Sequence, residues 1–171
     1  GMSDVVLALT MDVAENLYAG GWFRYAGGVS ANHVAKWNGS SWSAMGSGTD
    51  DDVRALATDG AGNLYAGGNF TTAGGVTVNH VAKWNGSNWS ALGSGVDGNI
   101  FAVAVDRTGN LYAGGSFRMA GGASVRNIAQ WNGNSWLALG EGTDQSVYAL
   151  ATSGSGNLFA GGYFTFAGGH N

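Results

Sequence analysis

The stretch "NLYAGG" occupies residues 16–21 and returns unchanged at 63–68 and 110–115; at 157–162 it reads "NLFAGG". The interval is 47 residues each time. A period of this length marks a repeat architecture, in which one supersecondary unit is copied because it cannot bury its own apolar face alone. Residues 49–95 form one complete unit, residues 2–48 and 96–142 are its neighbours, and residues 143–171 carry the first part of a fourth. The chain 1–171 is read as a single repeat domain.

Inside the unit 49–95, four short runs are separated by turn residues: "VRALATD", "NLYAGGNF", "HVAKW" and "WSALG". Each is β-rich or alternating and is bounded by Gly, Asn, Asp or Ser, which is how strands are written. The Asn85-Gly86 pair between Trp84 and Trp89 is expected to supply the positive φ angles of a tight hairpin joining the third and fourth strands. The "DGAGN" turn joins the first and second strands in the same way. No segment sustains a period of 3.6 residues, so the expected class is all-β.

Four antiparallel strands in 47 residues is the arithmetic of a propeller blade. The first strand is expected to lie innermost, where blades converge. One of its faces reads Val53, Ala55, Ala57, with Ile100, Ala102, Ala104 and Val147, Ala149, Ala151 in the later copies. The other face is bulkier and holds Leu56, Phe101, Val103, Val105, Tyr148 and Leu150. A β-trefoil has no place for a fourth partial copy, and a β-solenoid needs much shorter coils. The expectation is three full blades plus a two-stranded partial blade. Since propellers close with about four to eight blades, a homodimer completing a ring of seven or eight is the expected assembly.

The residues "VRALATDGAGNLYAGGNF" (53–70) and "VAVDRTGNLYAGGSF" (103–117) resemble the first two strands of many bacterial propellers. The Gly67-Gly68 pair, with aromatics following in the third and fourth strands, is similar to the kelch and galactose-oxidase type of blade. The tryptophans Trp84 and Trp89 lie closer together than the kelch Tyr and Trp. The segment "NHVAKWNGSSWSAMGSG" (32–48) resembles tandem repeats of large bacterial surface proteins. This resemblance implies an extracellular or cell-surface setting and a role in adhesion or recognition.

Composition excludes several classes. There are 32 glycines, no proline and no cysteine, so no disulfide or thiolate metal site can form. Seven Trp, seven Phe and six Tyr are far too many aromatics for a disordered chain. The seven Lys and Arg are scattered and the net charge is −4, which argues against nucleic acid as a partner. No apolar run reaches the roughly 20 residues of a membrane helix, so membrane insertion is not expected. The opening "GMSDVVLALT" lacks the basic and long apolar regions of a signal peptide.

Candidate functional residues are those that vary while their surroundings repeat. Trp22 is matched by Asn69, Ser116 and Tyr163; Arg24 by Thr71, Arg118 and Thr165; Tyr25 by Thr72, Met119 and Phe166. A core position would not tolerate that range, so Trp22, Arg24, Tyr25, Asn69, Arg118 and Tyr163 are expected at the exposed mouth of the channel as ligand contacts. His33 and His80 share one repeat position, Asn127 in the third copy, and are carried as further candidates. Asn as the replacement points to a hydrogen-bonding residue at a strand start. Asp50, Asp97 and Asp144 also share a position, and a ring of carboxylates is an arrangement that could hold Ca²⁺. The dense alternating-Asp loop of a dedicated calcium site is missing, and a turn role accounts for Asp there. No cofactor is therefore expected.

The tryptophan pairs Trp37/Trp42, Trp84/Trp89 and Trp131/Trp136 flank hairpins, where cross-strand packing explains them better than sugar stacking. The near-identical blades carry no asymmetric acid–base set. The expected function is a non-enzymatic module that binds a glycan or protein ligand, with a lectin-like propeller carrying one weak site per blade as the alternative.

Overall fold

A computed structural model describes residues 1–168; His170 lies outside them. The described residues contain strands and turns and no helix. Three antiparallel four-stranded sheets follow one another, each with its strands in sequence order across the sheet. The first comprises Val6–Met11, Leu17–Gly21, Val34–Trp37 and Trp42–Ala44. The second comprises Val53–Thr58, Leu64–Gly68, Val81–Trp84 and Trp89–Ala91. The third comprises Asn99–Val105, Leu111–Ser116, Ile128–Trp131 and Trp136–Ala138. A two-stranded sheet, Val147–Thr152 with Leu158–Gly162, begins the fourth unit. The fold is all-β and propeller-like, with open blades.

The first strands run side by side, each after Val6–Met11 packed on the first and second strands of the preceding blade. They are the innermost elements, as the pattern of small residues requires. Their side-chain alternation differs from the expectation. Each first strand carries a β-bulge: Val53 pairs with Gly68 but Ala55 already pairs with Gly67, and the same shift occurs at Val6/Ala8, Ile100/Ala102 and Val147/Ala149. The extra residue resets the period of two. Val53 therefore shares a face with Leu56, not with Ala55 and Ala57. Val53 and Leu56 pack into the preceding blade beside Tyr18 and Val34, whereas Ala55 and Ala57 join the cluster of Ile100 and Val103 in the next. The bulged residues themselves, Leu7, Arg54, Phe101 and Tyr148, are turned out of both sheet faces toward the axis.

The first glycine of each Gly-Gly pair is the socket for this contact. A Cβ on Gly20 would lie 2.6 Å from Val53 Cγ1, and one on Gly114 would lie 2.6 Å from Val147 Cγ1; on Gly67 it would meet Ile100 Cγ2. Only glycine lets the blades close on a β-branched side chain here. Val53, Ile100 and Val147 are completely buried, and such burial stabilises by roughly 1.5–3 kcal/mol per side chain.

The outer halves of the blades are joined by tryptophan. Trp84 and Trp89 are cross-strand partners with ring centroids 5.3 Å apart, and the other two pairs repeat this geometry. Trp89 Nε1 donates to the Met45 carbonyl and Trp136 Nε1 to the Leu92 carbonyl, each at 2.8 Å and each in the preceding blade. The pairs are packing elements, as expected. The loop between them differs from a two-residue turn. Gly86 alone has positive φ, and Asn85 Oδ1 accepts the N–H groups of Ser87 and Asn88 to close a four-residue loop.

Between the second and third strands lies an element that strand reading of the sequence passed over as loop. In each full blade it is a small hairpin: Tyr25–Ala26 with Val29–Ser30, Thr72–Ala73 with Val76–Thr77, and Met119–Ala120 with Ala123–Ser124. Two-residue strands are too short to show any alternation, so nothing in the sequence pattern marks them.

Candidate functional site

The four bulged residues converge on one cavity. Leu7, Arg54, Phe101 and Tyr148, one from each unit, line a cavity of about 240 Å³ together with Trp22. The Phe101 and Tyr148 rings stack with centroids 5.1 Å apart and an interplanar angle of 18°. The Arg54 guanidinium carbon lies 5.6 Å from the Phe101 centroid, close enough for a cation–π contact. Successive units thus contribute successive rungs of one ladder: aliphatic, cationic, aromatic, aromatic.

Asp52 organises this cluster. It is buried and accepts the Arg54 Nε–H at 2.7 Å and the Trp22 Nε1–H at 3.1 Å on the same oxygen, Oδ2. The Arg54 contact is the one ion pair among the described residues. Binding through Nε leaves the terminal nitrogens of this cavity-lining guanidinium without a hydrogen-bond partner among the described residues, while Trp22 and Tyr148 remain about half exposed. A guanidinium fixed at one end and stacked on a ring is set to receive a carboxylate or another planar acceptor. The flanking rings offer an apolar surface.

Of the residues singled out in the sequence, Trp22 alone enters this cavity. Tyr163 is the most exposed aromatic at its repeat position, at 75 %. Asn69 is half-buried, and its Oδ1 has no hydrogen-bond partner. Arg24, Tyr25 and Arg118 are exposed, and the backbone amides at these positions are clamped from below. Ser3 Oγ accepts the N–H groups of Arg24 and Tyr25, and Asp97 Oδ1 accepts those of Arg118 and Met119. Arg118 also borders a second cleft, of about 280 Å³, with Asp97 and Asp144.

Asp50, Asp97 and Asp144 all perform that clamp. Asp50 Oδ1 takes the amides of Thr71 and Thr72, and Asp144 Oδ1 those of Thr165 and Phe166. The bonds span about twenty residues, so the role is to hold the small hairpin rather than to shape a local turn. For Asp50, burial alone would raise the carboxyl, but the hydrogen bonds from Thr72 and Thr71 outweigh it and hold it below its ordinary value. No three His, Asp or Glu side chains converge into a metal-binding group among the described residues. His33 and His80 are held in the left-handed region, at φ 66° and 71°, as is Asn127 at 62°. His33 is buried with Nδ1 3.1 Å from the Gly21 carbonyl, an acceptor that requires the proton on Nδ1. Asn is the residue that best tolerates this backbone, which explains the exchange in the third copy.

Arg54, Asp52, Phe101 and Tyr148 were not assigned as site residues from sequence. Their signal was present: position 54 varies Leu, Arg, Phe, Tyr across the copies, the same criterion that picked out Trp22. It was masked because unbroken alternation places Phe101 and Tyr148 on a packing face.

The far end of the axis has a larger opening, of about 700 Å³, lined by the turns between first and second strands. Its carboxylates are already engaged. Asp59 Oδ1 accepts the amides of Ala61 and Asn63, and Oδ2 accepts Asn63 Nδ2 at 2.7 Å and the Tyr65 hydroxyl at 3.3 Å. Asp12 and Asp106 repeat the cluster. Burial, reinforced by Asp59, pushes the Tyr65 hydroxyl up to about 12, and Tyr18 beside Asp12 behaves alike. At Asp106 burial acts to raise the carboxyl, yet the bonds from Thr108 and Asn110 prevail and bring it to about 2. These carboxylates fasten turns, while Arg107 lines the same opening as an exposed cation.

No family model and no curated protein matches this chain.

Proposed function

We propose that the chain is a non-enzymatic recognition module in which a repeated propeller scaffold presents a non-repeated rim to a ligand. The observation that carries this reading is the ladder Leu7, Arg54, Phe101, Tyr148. Four positions with equivalent backbone and register hold four chemically different side chains, all meeting at one cavity. A purely structural position would repeat like the Gly-Gly pairs do. The pairing of Asp52 with Arg54 and Trp22 supports binding over catalysis, since its carboxylate orients the guanidinium and is committed to two donors. The resemblance to tandem repeats of bacterial surface proteins supports a role in adhesion at the cell exterior.

A lectin-like function is the second reading, favoured by the half-exposed Trp22 and Tyr148 rings beside a guanidinium. The outer tryptophans Trp89 and Trp136 are consumed by packing, so the stacking surface lies at the mouth, with one shared site in place of one per blade. Probing immobilised protein with a panel of neutral and uronic-acid oligosaccharides and of acidic peptides tests both readings. Binding that falls at least about tenfold in Arg54→Ala and Trp22→Ala, with unchanged circular dichroism, supports the mouth as the site. Ligands retained equally by both variants would overturn it, and the polymer class retained by the wild type decides between the readings.

A further inference from the structure

The two ends of the blade stack carry opposite halves of one contact. At every internal junction a β-branched residue and a second aliphatic three positions on, Val53/Leu56, Ile100/Val103 or Val147/Leu150, press on the glycine of the preceding blade. The leading face of the first blade bears the same pair, Val6 and Leu9, with none of the described residues against it: Leu9 is 61 % exposed, and Met11 and Val13 beside it are exposed as well. The trailing face of the fourth unit bears the socket. Its second strand, Leu158–Gly162, is exposed where its counterpart Leu64–Gly68 is wholly buried. Gly161, the equivalent of Gly20, Gly67 and Gly114, has nothing nearer to a Cβ than Ala149 at 3.8 Å. Phe159 stands exposed where Tyr18 and Tyr65 are buried in the inter-blade clusters.

We propose that a second copy of this chain covers these faces, head to tail, with Val6 and Leu9 of one protomer seated on Gly161 and Phe159 of its partner. The argument is continuity with the internal junctions, which use the same residue types at the same repeat positions three times within the chain. A knob and its socket at opposite ends of one molecule form a heterologous contact, which closes into a ring when the rotation permits. Two chains provide eight blade positions, at the upper end of the propeller range of about four to eight. In such a ring both junctions form at once, so the second is intramolecular and each supports the other. The fourth copy's loss of the Tyr hydroxyl, as Phe159, coincides with loss of its acceptor, as Ser153 where the other copies have Asp, leaving a fully apolar ring on the docking face.

The test is sedimentation of the 171-residue protein from about 0.1 to 50 µM, with two variants. Gly161→Val fills the socket, and because none of the described residues occupies that space it leaves the fold of the single chain intact. Leu9→Glu places a charge on the opposite face. The wild type is expected as a dimer, and each variant alone as a monomer, since every junction needs one intact head and one intact tail. A mixture of the two variants restores a single junction and gives a weaker dimer. Overturning results are a monomeric wild type, a dimer that survives Gly161→Val, assembly that grows past the dimer with concentration, or variants that fail to complement on mixing. Survival of the dimer in Gly161→Val alone would indicate a head-to-head contact, and survival in Leu9→Glu alone a tail-to-tail one.

Discussion

Trp42 and Trp89 occupy the same repeat position and pair with equivalent tryptophans, but among the described residues only Trp89 of the two donates to a carbonyl of a preceding blade. Replacing each by phenylalanine separates the inter-blade contribution from the intra-blade one. In Trp89→Phe the hydrogen bond to the Met45 carbonyl is lost. That carbonyl keeps a second donor, the Gly48 N–H at 3.2 Å, so the cost is the net value of a bond, about 0.5–1.5 kcal/mol, and not the larger penalty of an orphaned acceptor. The smaller ring also vacates volume at a site only 5 % exposed, adding about 1 kcal/mol. The expected sum is about 2 kcal/mol. Trp42 is half-buried and its indole N–H has no acceptor among the described residues, so Trp42→Phe costs about 0.5 kcal/mol by the reduced burial alone. A difference near 1.5 kcal/mol corresponds to roughly 3–6 °C in Tm for a domain of this size. Chemical denaturation followed by tryptophan fluorescence, with thermal melts by circular dichroism, measures both. Equal losses in the two variants would refute the view that the fourth-strand tryptophan is an inter-blade latch.

Further outcomes follow from the turns. Glu15 sits at φ 62° where the other copies place Gly62, Gly109 and Gly156; Glu15→Gly should stabilise by about 1 kcal/mol, read as a raised denaturation midpoint. The fourth copy pairs Ser153 with Phe159 where the second pairs Asp59 with Tyr65. A double-mutant cycle of Asp59→Ser and Tyr65→Phe should therefore show a coupling of about 0.5–1 kcal/mol; additive losses would show that the hydroxyl–carboxylate bond contributes nothing. Asp12, Asp59 and Asp106 are held below their ordinary values in the folded chain, burial being outweighed by their hydrogen bonds. Their contribution is present above the unfolded carboxyl value of about 3.9 and is lost as pH falls through the folded values, near 2 for Asp106. Tyr18 and Tyr65 are raised to about 12. Burial and Asp106 raise Tyr112 as well; the contribution of the three is complete below the unfolded value of about 10 and disappears as pH rises through their folded values, so phenolate absorbance should show three late-titrating tyrosines that coincide with alkaline unfolding.

The sequence by itself determined the period, the all-β class, the four strands per unit and the packing role of the tryptophan pairs. These follow from local chemistry: β-rich runs, Gly-Asn and Asn-Gly turns, and residues too repetitive to be accidental. The tertiary structure alone decided which face of the first strand is which. A bulge depends on the hydrogen-bond register with the neighbouring strand, and no alternation within residues 53–58 reveals that Arg54 is the extra one. The same is true of the candidate site. Arg54, Phe101 and Tyr148 lie 47 residues apart from one to the next and meet because blades radiate from one axis. Gly67 and Gly161 occupy the same repeat position, yet one is a filled socket and the other an open one. What distinguishes them is the presence of a neighbouring blade, a property of position in the stack that no single repeat encodes.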